Sequence, residues 1–381
     1  MNFELTEEQL MIRDSARDFA QAEIAPSSIE RDIKGEFPAD IIKKLGELGF
    51  MGMMVPPEYG GAGLDTISYV LAMIEVSKVD ASVGVIMSVN NSLVCYGLEK
   101  YGTDYIKEKY LTPLAKGEKL GAFALSEPEA GSDATHQKTT ADKQGDCFVI
   151  NGIKNWITNG QSADYVLLMA ATDKSKAHHG ISTILVEKGT PGFDYGKKED
   201  KLGIRSSDTS SLTFTNCCVP LSNLVWEEGK GFNFAMNTLN GGRIGIAAQA
   251  VGIAEASLDA ALKYSKERKA FGQHISDFQA IQFKLADMSV KVDAAKLLTL
   301  KAASLKDAGK KYFKEAAMAK LYASKIAVEC ALEAVQIHGG YGYVREYLVE
   351  RYLRDAKITE IYEGTNEIQR IVIARALMDG Y

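Results

Sequence analysis

The residues of this chain best able to do chemistry lie near its end, in RDAKITEIYEGTNEIQR, residues 354–370. Glu363 is followed by Gly364, which accepts backbone angles that other residues avoid. Thr365 or Asn366 can then cap a last helix running to about Met378, with Asn366 and Gln369 at capping-box spacing. The spacing predicts a carboxylate held on a tight bend just ahead of a helix N-terminus. Packed against apolar groups, such an acid rises above its ordinary pKa of about 4.3 and can serve as a general base. The plain alternative is a surface glutamate that complements the helix dipole.

Other stretches carry ligand-binding residue types. FALSEPEAGSDAT, residues 123–135, places Ser126, Gly131 and Ser132 in a polar loop whose N–H groups can meet a phosphate or a polar ring edge. As a bare pattern it is a Ser/Gly/Pro loop. KNWITNG, residues 154–160, sets Trp156 at a strand end with Thr158 on the same face; a tryptophan there is core or stacks on a flat ring. Arg243 opens a helical stretch. Arg268, in a turn after a helix, is an anion clamp or a surface charge. In QIHGGYGY, residues 336–343, the lone His338 reads as a satisfied polar group.

Three kinds of segment must position these residues. At 381 residues the chain needs two or three domains or layers. Residues 1–119 read as helices, with apolar three- and four-residue spacing in Leu5 to Ile24, Asp40 to Leu48 and Ile67 to Val79; the apolar stretch Ala81 to Tyr101 reads as a buried helix. Residues 120–229 alternate as short strands without a strand-helix-strand rhythm, which predicts an antiparallel barrel or sandwich. Residues 230–381 return to helices. There Ile281, Leu285, Met288, Val292 and Ala295 form a stripe suited to a four-helix bundle. The fold class is mainly α with a central β domain.

Composition narrows function further. A net charge of −6 with no basic stripe argues against nucleic acid. The acidic, amphipathic start is neither a signal nor a transit peptide, which predicts a cytoplasmic protein. No uninterrupted apolar run approaches the roughly 20 residues of a membrane span, Ile244 to Ala254 coming nearest. Five cysteines without a CxxC pair predict reduced, structural thiols. Neither HExxH nor GxSxG occurs, and no metal site is expected.

Taken in order, these stretches resemble the acyl-CoA dehydrogenase family, most closely its short-chain, butyryl-type members, over essentially the whole chain. The resemblance implies FAD as cofactor, held through Phe123, Leu125, Ser126, Gly131 and Ser132, then Trp156, Ile157 and Thr158. It implies that Arg268, Phe271, Gln279 and Gln336, Ile337, His338, Gly339 and Gly340 grip the FAD of a neighbouring subunit. Thr365, Asn366 and Glu367 match a further flavin contact. Ser132, Asn240, Arg243 and Gly364 fall where acyl-CoA is held, and Glu363 falls on the catalytic base. The implied reaction is α,β-dehydrogenation of a short acyl-CoA. Glu363 takes the α-proton, its backbone N–H helps hold the thioester carbonyl, and the β-hydrogen leaves as hydride to flavin N5. Electrons pass on to an electron-transferring flavoprotein, and a homotetramer is implied.

Two departures mark this chain: Glu129 stands in the SEPEAGSD loop where glycine or asparagine is common, and Asn240 stands where short-chain relatives often have aspartate. Some branches carry the base just before the arginine, which here is Gly242. Gly84 stands near the place where glutaryl-type relatives carry an arginine. The pair Asn90 and Asn91 leaves branched or cyclic acyl groups open. A non-catalytic helical scaffold is the reading from another class.

Overall fold

Thr6 begins the first helix by a reciprocal cap: its hydroxyl accepts the Gln9 N–H while the Gln9 side chain accepts the Thr6 N–H. In this computed structural model, which describes residues 4–380, helix α1 (Glu7–Phe19) follows that cap, and the first three residues of the acidic start lie outside the described residues. Then come α2 (Ala25–Lys34), α3 (Ala39–Glu47), α4 (Thr66–Val79), α5 (Ala81–Ser88), α6 (Tyr96–Tyr101), α7 (Asp104–Ile106) and α8 (Thr112–Ala115). Asp65 and Asp80 cap α4 and α5 through their carboxylates. Both helices are apolar nearly all round because both lie inside.

Asn90 and Asn91 sit in the wide turn between α5 and α6 and are fully used by backbone. Asn90 donates to Met51 O (2.8 Å) and Leu114 O (3.2 Å) and accepts from Gly121 N (3.0 Å). Asn91 accepts from Met53 N (2.8 Å) and donates to Phe50 O (2.8 Å). They fasten loops to the helical core and offer nothing to an unusual acyl group.

The sheet contains β1 (Gly121–Ala124), β2 (Thr140–Gln144), β3 (Cys147–Thr158), β4 (Tyr165–Ala171), β5 (Ile181–Glu187), β6 (Phe193–Tyr195), β7 (Thr209–Pro220) and β8 (Leu224–Val225). Its order is β6-β7-β3-β2-β4-β5-β8, with β1 on β4. Most pairs are antiparallel as expected, but β1 and β2 each run parallel to β4, so the sheet is mixed. Phe148, Ile150, Val166, Leu168, Ile184 and Phe214 build its own core.

One expectation about the thiols fails here. Cys147 and Cys218 form a disulfide between β3 and β7, with Cα atoms 5.7 Å apart. Val149 pairs with Cys218 and Cys147 with Pro220, so the two cysteines are diagonal neighbours across adjacent antiparallel strands. Such nearness arises from register, which adjacency in the chain does not reveal. Cys95, Cys217 and Cys330 are free and buried.

The C-terminal layer consists of α9 (Gly231–Glu267), α10 (Gln279–Asp307), α11 (Phe313–His338), α12 (Val349–Ile358) and α13 (Asn366–Met378), with a two-stranded ribbon, β9 (Lys269–Ala270) and β10 (Gln273–His274), after α9. On α10, Met288, Val292 and Ala295 are buried, while Ile281 and Leu285 are partly covered. Two stretches, Ala81–Tyr101 and Gly231–Glu267, are in fact long and apolar enough to span a membrane. Interruptions such as Asn90, Asn91 and Gln249 hid this in the sequence. Both stretches lie mostly inside the molecule, packed by other elements.

Candidate active site

Helix α12 stops at Ile358, and the chain turns as Ile361 N and Tyr362 N both donate to Ile358 O (2.9 and 3.1 Å). Glu363 then takes φ +53° and Gly364 φ +90°. A left-handed backbone at a non-glycine residue costs roughly 1–2 kcal/mol, so neighbours must hold it. Gln369 Nε2 donates to Glu363 O (3.2 Å) and Gly364 O (2.8 Å), and Lys320 Nζ donates to Gly364 O from the other side (2.9 Å). Asn366 N closes the bend on Glu360 O (2.9 Å). Thr365, not Asn366, is the cap, accepting from Ile368 N (3.4 Å). The expected Asn366–Gln369 capping box does not form, because both side chains turn inward to support the bend. The Glu363 N–H donates to no group among the described residues.

The carboxylate of Glu363 points at α9. A Cβ built on Gly242 would lie 2.0 Å from Glu363 Oε2 and 2.7 Å from Leu93 Cδ2, so the acid occupies the space a side chain at 242 needs. Oε2 is buried and without a hydrogen-bond partner. Loss of water pushes the Glu363 carboxyl up to about 8, against the pull of Lys320 and Arg243. Arg243 is itself buried and donates to Asn240 Oδ1 (2.7 Å) on its own helix, with Nε unpartnered. Behind the acid, the Tyr362 hydroxyl donates to Gln249 Oε1, and Gln249 Nε2 to Ala81 O (2.7 Å). A Cβ on Gly84 would lie 2.3 Å from Ser77 Oγ, so a side chain there requires the Ser77 hydroxyl to move.

The SEPEAGSD loop and the WIT strand are held together. Asn155 N donates to Ser126 O (2.9 Å), and the buried Lys154 Nζ donates to Leu125 O (3.0 Å), Glu127 Oε1 (2.7 Å) and Gln137 Oε1 (2.9 Å). Trp156 is 61% exposed at φ +61°, on a register shift between Lys154 and Ile157. Beyond that bulge the alternation resumes, with Trp156 exposed, Ile157 buried and Thr158 partly exposed, as a shared face for Trp156 and Thr158 requires. Ile157 points into the sheet core, Leu125 is buried, and Phe123 and Ser126 are partly covered. Gly131 and Ser132 are exposed, with open space where a Gly131 side chain would go. Glu129 is exposed and paired with Lys138, so the additional carboxylate meets a surface cation.

Arg268, Ile337, His338, Gly339 and Gly340 meet around an open cavity of about 700 Å³ between the ends of α9 and α11. His338 stacks on Tyr264 (4.2 Å between ring centroids) and its Nδ1 lies 2.8 Å from Ala334 O. Phe271 (96% exposed), Gln279 and Gln336 lie outside this cavity wall. Asn366 points inward, accepting from Lys320 (3.2 Å) and Ser324 (2.9 Å), whereas Glu367 is exposed beside Arg370 (3.2 Å).

Three family descriptions match the chain: acyl-CoA dehydrogenase N-terminal domain over residues 6–118, middle domain over 122–217 and C-terminal domain over 229–378. The chain belongs to the acyl-CoA dehydrogenase family. It is 52% identical over 378 residues to the mitochondrial short-chain specific acyl-CoA dehydrogenase of Rattus norvegicus, covering 99% of this chain and 92% of that one. The solved butyryl-CoA dehydrogenase of Megasphaera elsdenii superposes with a TM-score of 0.98 at 50% identity, over 99% of this chain and 100% of that one. A chain solved in work on the electron transferring flavoprotein of Acidaminococcus fermentans and flavin-based electron bifurcation matches at TM-score 0.98 and 53% identity, over 99% and 100%.

Sequence reasoning missed Lys320, Lys154 with Glu127, and the Tyr362–Gln249 contact. For Lys320 a signal existed: it interrupts the stripe Ala316, Ala323, Ala327 of α11, where an apolar residue is expected.

Proposed function

We propose that this acyl-CoA dehydrogenase removes the α- and β-hydrogens of a short-chain acyl-CoA with Glu363 as base, giving the trans-2-enoyl-CoA. The observation that carries this is the buried, unpartnered Glu363 Oε2, facing a glycine gap in α9. A carboxylate stripped of water and short of partners gains most from the proton it accepts. The free N–H of Glu363 is available to the thioester carbonyl oxygen, where negative charge develops as the α-proton leaves.

The residues present fit FAD. An exposed tryptophan on a bulge, beside an open polar loop, suits a flat ring. Arg268 over a glycine turn suits a diphosphate. FAD supplies the acceptor for the β-hydrogen, taken as hydride at flavin N5. The chain's own part is to orient the thioester, exclude water and hold the α-proton at Glu363 Oε2.

An electron-transferring flavoprotein is the proposed electron acceptor, in keeping with the Acidaminococcus relative. A homotetramer is proposed on two supports. Phe283, Val290 and Leu297 are exposed at seven-residue spacing on α10, a stripe suited to another helix, and the Arg268 cavity opens outward. Asn240 and Arg243 bond to each other, so their proposed part in holding acyl-CoA is to shape the wall beside the acid. Anaerobic bleaching of the bound flavin by a panel of acyl-CoA thioesters tests substrate choice. Straight C4 to C6 chains are expected to bleach it fastest; faster bleaching by a long-chain, cyclic or dicarboxylic thioester contradicts the assignment.

A further inference from the structure

We infer that Lys320 is a positioning residue for Glu363: its ammonium group clamps the left-handed bend through the Gly364 carbonyl and Asn366, and its charge favours the ionised carboxylate against the burial that disfavours it. This rests on Glu363 being the base.

Lys320 is completely buried on α11, in a stripe otherwise made of alanines and Ser324. Its Nζ donates to Gly364 O (2.9 Å) and Asn366 Oδ1 (3.2 Å), and Ser324 Oγ donates to the same Asn366 oxygen (2.9 Å). Gln369 grips Gly364 O from the far side (2.8 Å). The residue after the acid is therefore held from two helices, and the direction of both the Glu363 carboxylate and its free N–H is set by that grip. Gln369 supplies hydrogen bonds without charge. Lysine supplies a charge that these hydrogen bonds alone do not require.

The charge has one buried counterpart. Lys320 is faced by Glu363, Arg243, Glu360 and Glu367, and of these acids Glu367 is exposed and Glu360 pairs with Lys357 (2.6 Å). Glu363 is faced by Lys320 and Arg243, with the buried phenols of Tyr69 and Tyr362 nearby. Arg243 bonds only to the neutral Asn240, so its charge also acts on the carboxylate, while Lys320 alone joins charge to a grip on the bend. Burial pushes Lys320 down to about 7 and Glu363 up to about 8, so each ion is costly alone and each favours the other.

The test compares Lys320→Met, Lys320→Gln and Lys320→Arg as FAD-loaded enzymes, reading kcat/KM against pH and, separately, the infrared band of the protonated Glu363 carboxyl, identified by its loss in Glu363→Gln. Without the charge, in Lys320→Met and Lys320→Gln, the acid limb and the infrared titration are expected to move at least about 1 unit alkaline. At pH 7, kcat should fall roughly tenfold or more with KM changed less than about threefold. Lys320→Arg, which keeps the charge, should leave both within about half a unit of the parent. Where Lys320→Met does not fold, the other two variants carry the comparison. A lysine that only filled space would lower stability and leave the limb in place; an unmoved limb in folded Lys320→Gln overturns the inference. A Glu363→Gln enzyme that still reduces flavin at the parent rate overturns the base assignment instead.

Discussion

Burial strips the Glu363 carboxylate of water and returns two cations, Lys320 and Arg243, but no hydrogen bond to Oε2. The result is a carboxyl raised to about 8. A group with a raised folded pKa contributes stability that is fully present below its unfolded pKa and lost as pH rises toward the folded value. Between pH about 4.5 and 6 the native chain keeps this proton and the unfolded chain releases it, while Lys320, below its folded value of about 7, is protonated in both states. Unfolding of Glu363→Gln beside the parent should therefore show the variant gaining, by up to about 1.4 kcal/mol per pH unit across that window. Parallel stability curves would mean an ordinary, solvated glutamate. The sequence displayed the acid, the glycine after it and the coming helix. It did not display Gly242 as the space that receives the carboxylate, because that contact joins residues 121 positions apart by a fit between α9 and a bend.

At the scale of elements, the strand carrying Trp156 and the loop carrying Ser126 depend on one buried ion pair. Lys154 and Glu127 lie 2.7 Å apart, and Glu127 also accepts from Lys138 N (2.6 Å) and Thr139 N (3.1 Å). Removing one partner leaves the other charge uncompensated in the interior. Glu127→Gln should cost about 3 kcal/mol at pH 6 and less at pH 9, since burial already holds Lys154 down to about 8 and it can shed its proton. Urea unfolding at the two pH values checks this; a loss below about 1 kcal/mol at pH 6 would show that the pair is not a support. Both motifs were legible as strings. Their junction was not, since a buried lysine reads like any surface lysine until the sheet is drawn, and the bulge between Lys154 and Ile157 leaves no mark in the string.

At the scale of the molecule, helical, sheet and helical layers follow one another as periodicity predicted, but the two helical layers share one core with one face of β4 and β5, and the sheet keeps a second core of its own. What the pattern could not show was which elements meet: the parallel β1 and β2 on β4, the Cys147–Cys218 link within the sheet, and the two membrane-length helices buried by their neighbours. The exposed α10 stripe and the outward-opening Arg268 cavity support further copies of the chain completing the proposed FAD sites. The reaction itself turns on one proton. Glutamine at 363 keeps the shape and the bend but cannot accept the α-proton, so Glu363→Gln should bind FAD and thioester and perturb the flavin spectrum. Its anaerobic reduction, followed by stopped flow with butyryl-CoA, should be slowed by at least the ~10²–10⁴-fold expected of a positioned base. Reduction within a few-fold of the parent rate would contradict the account.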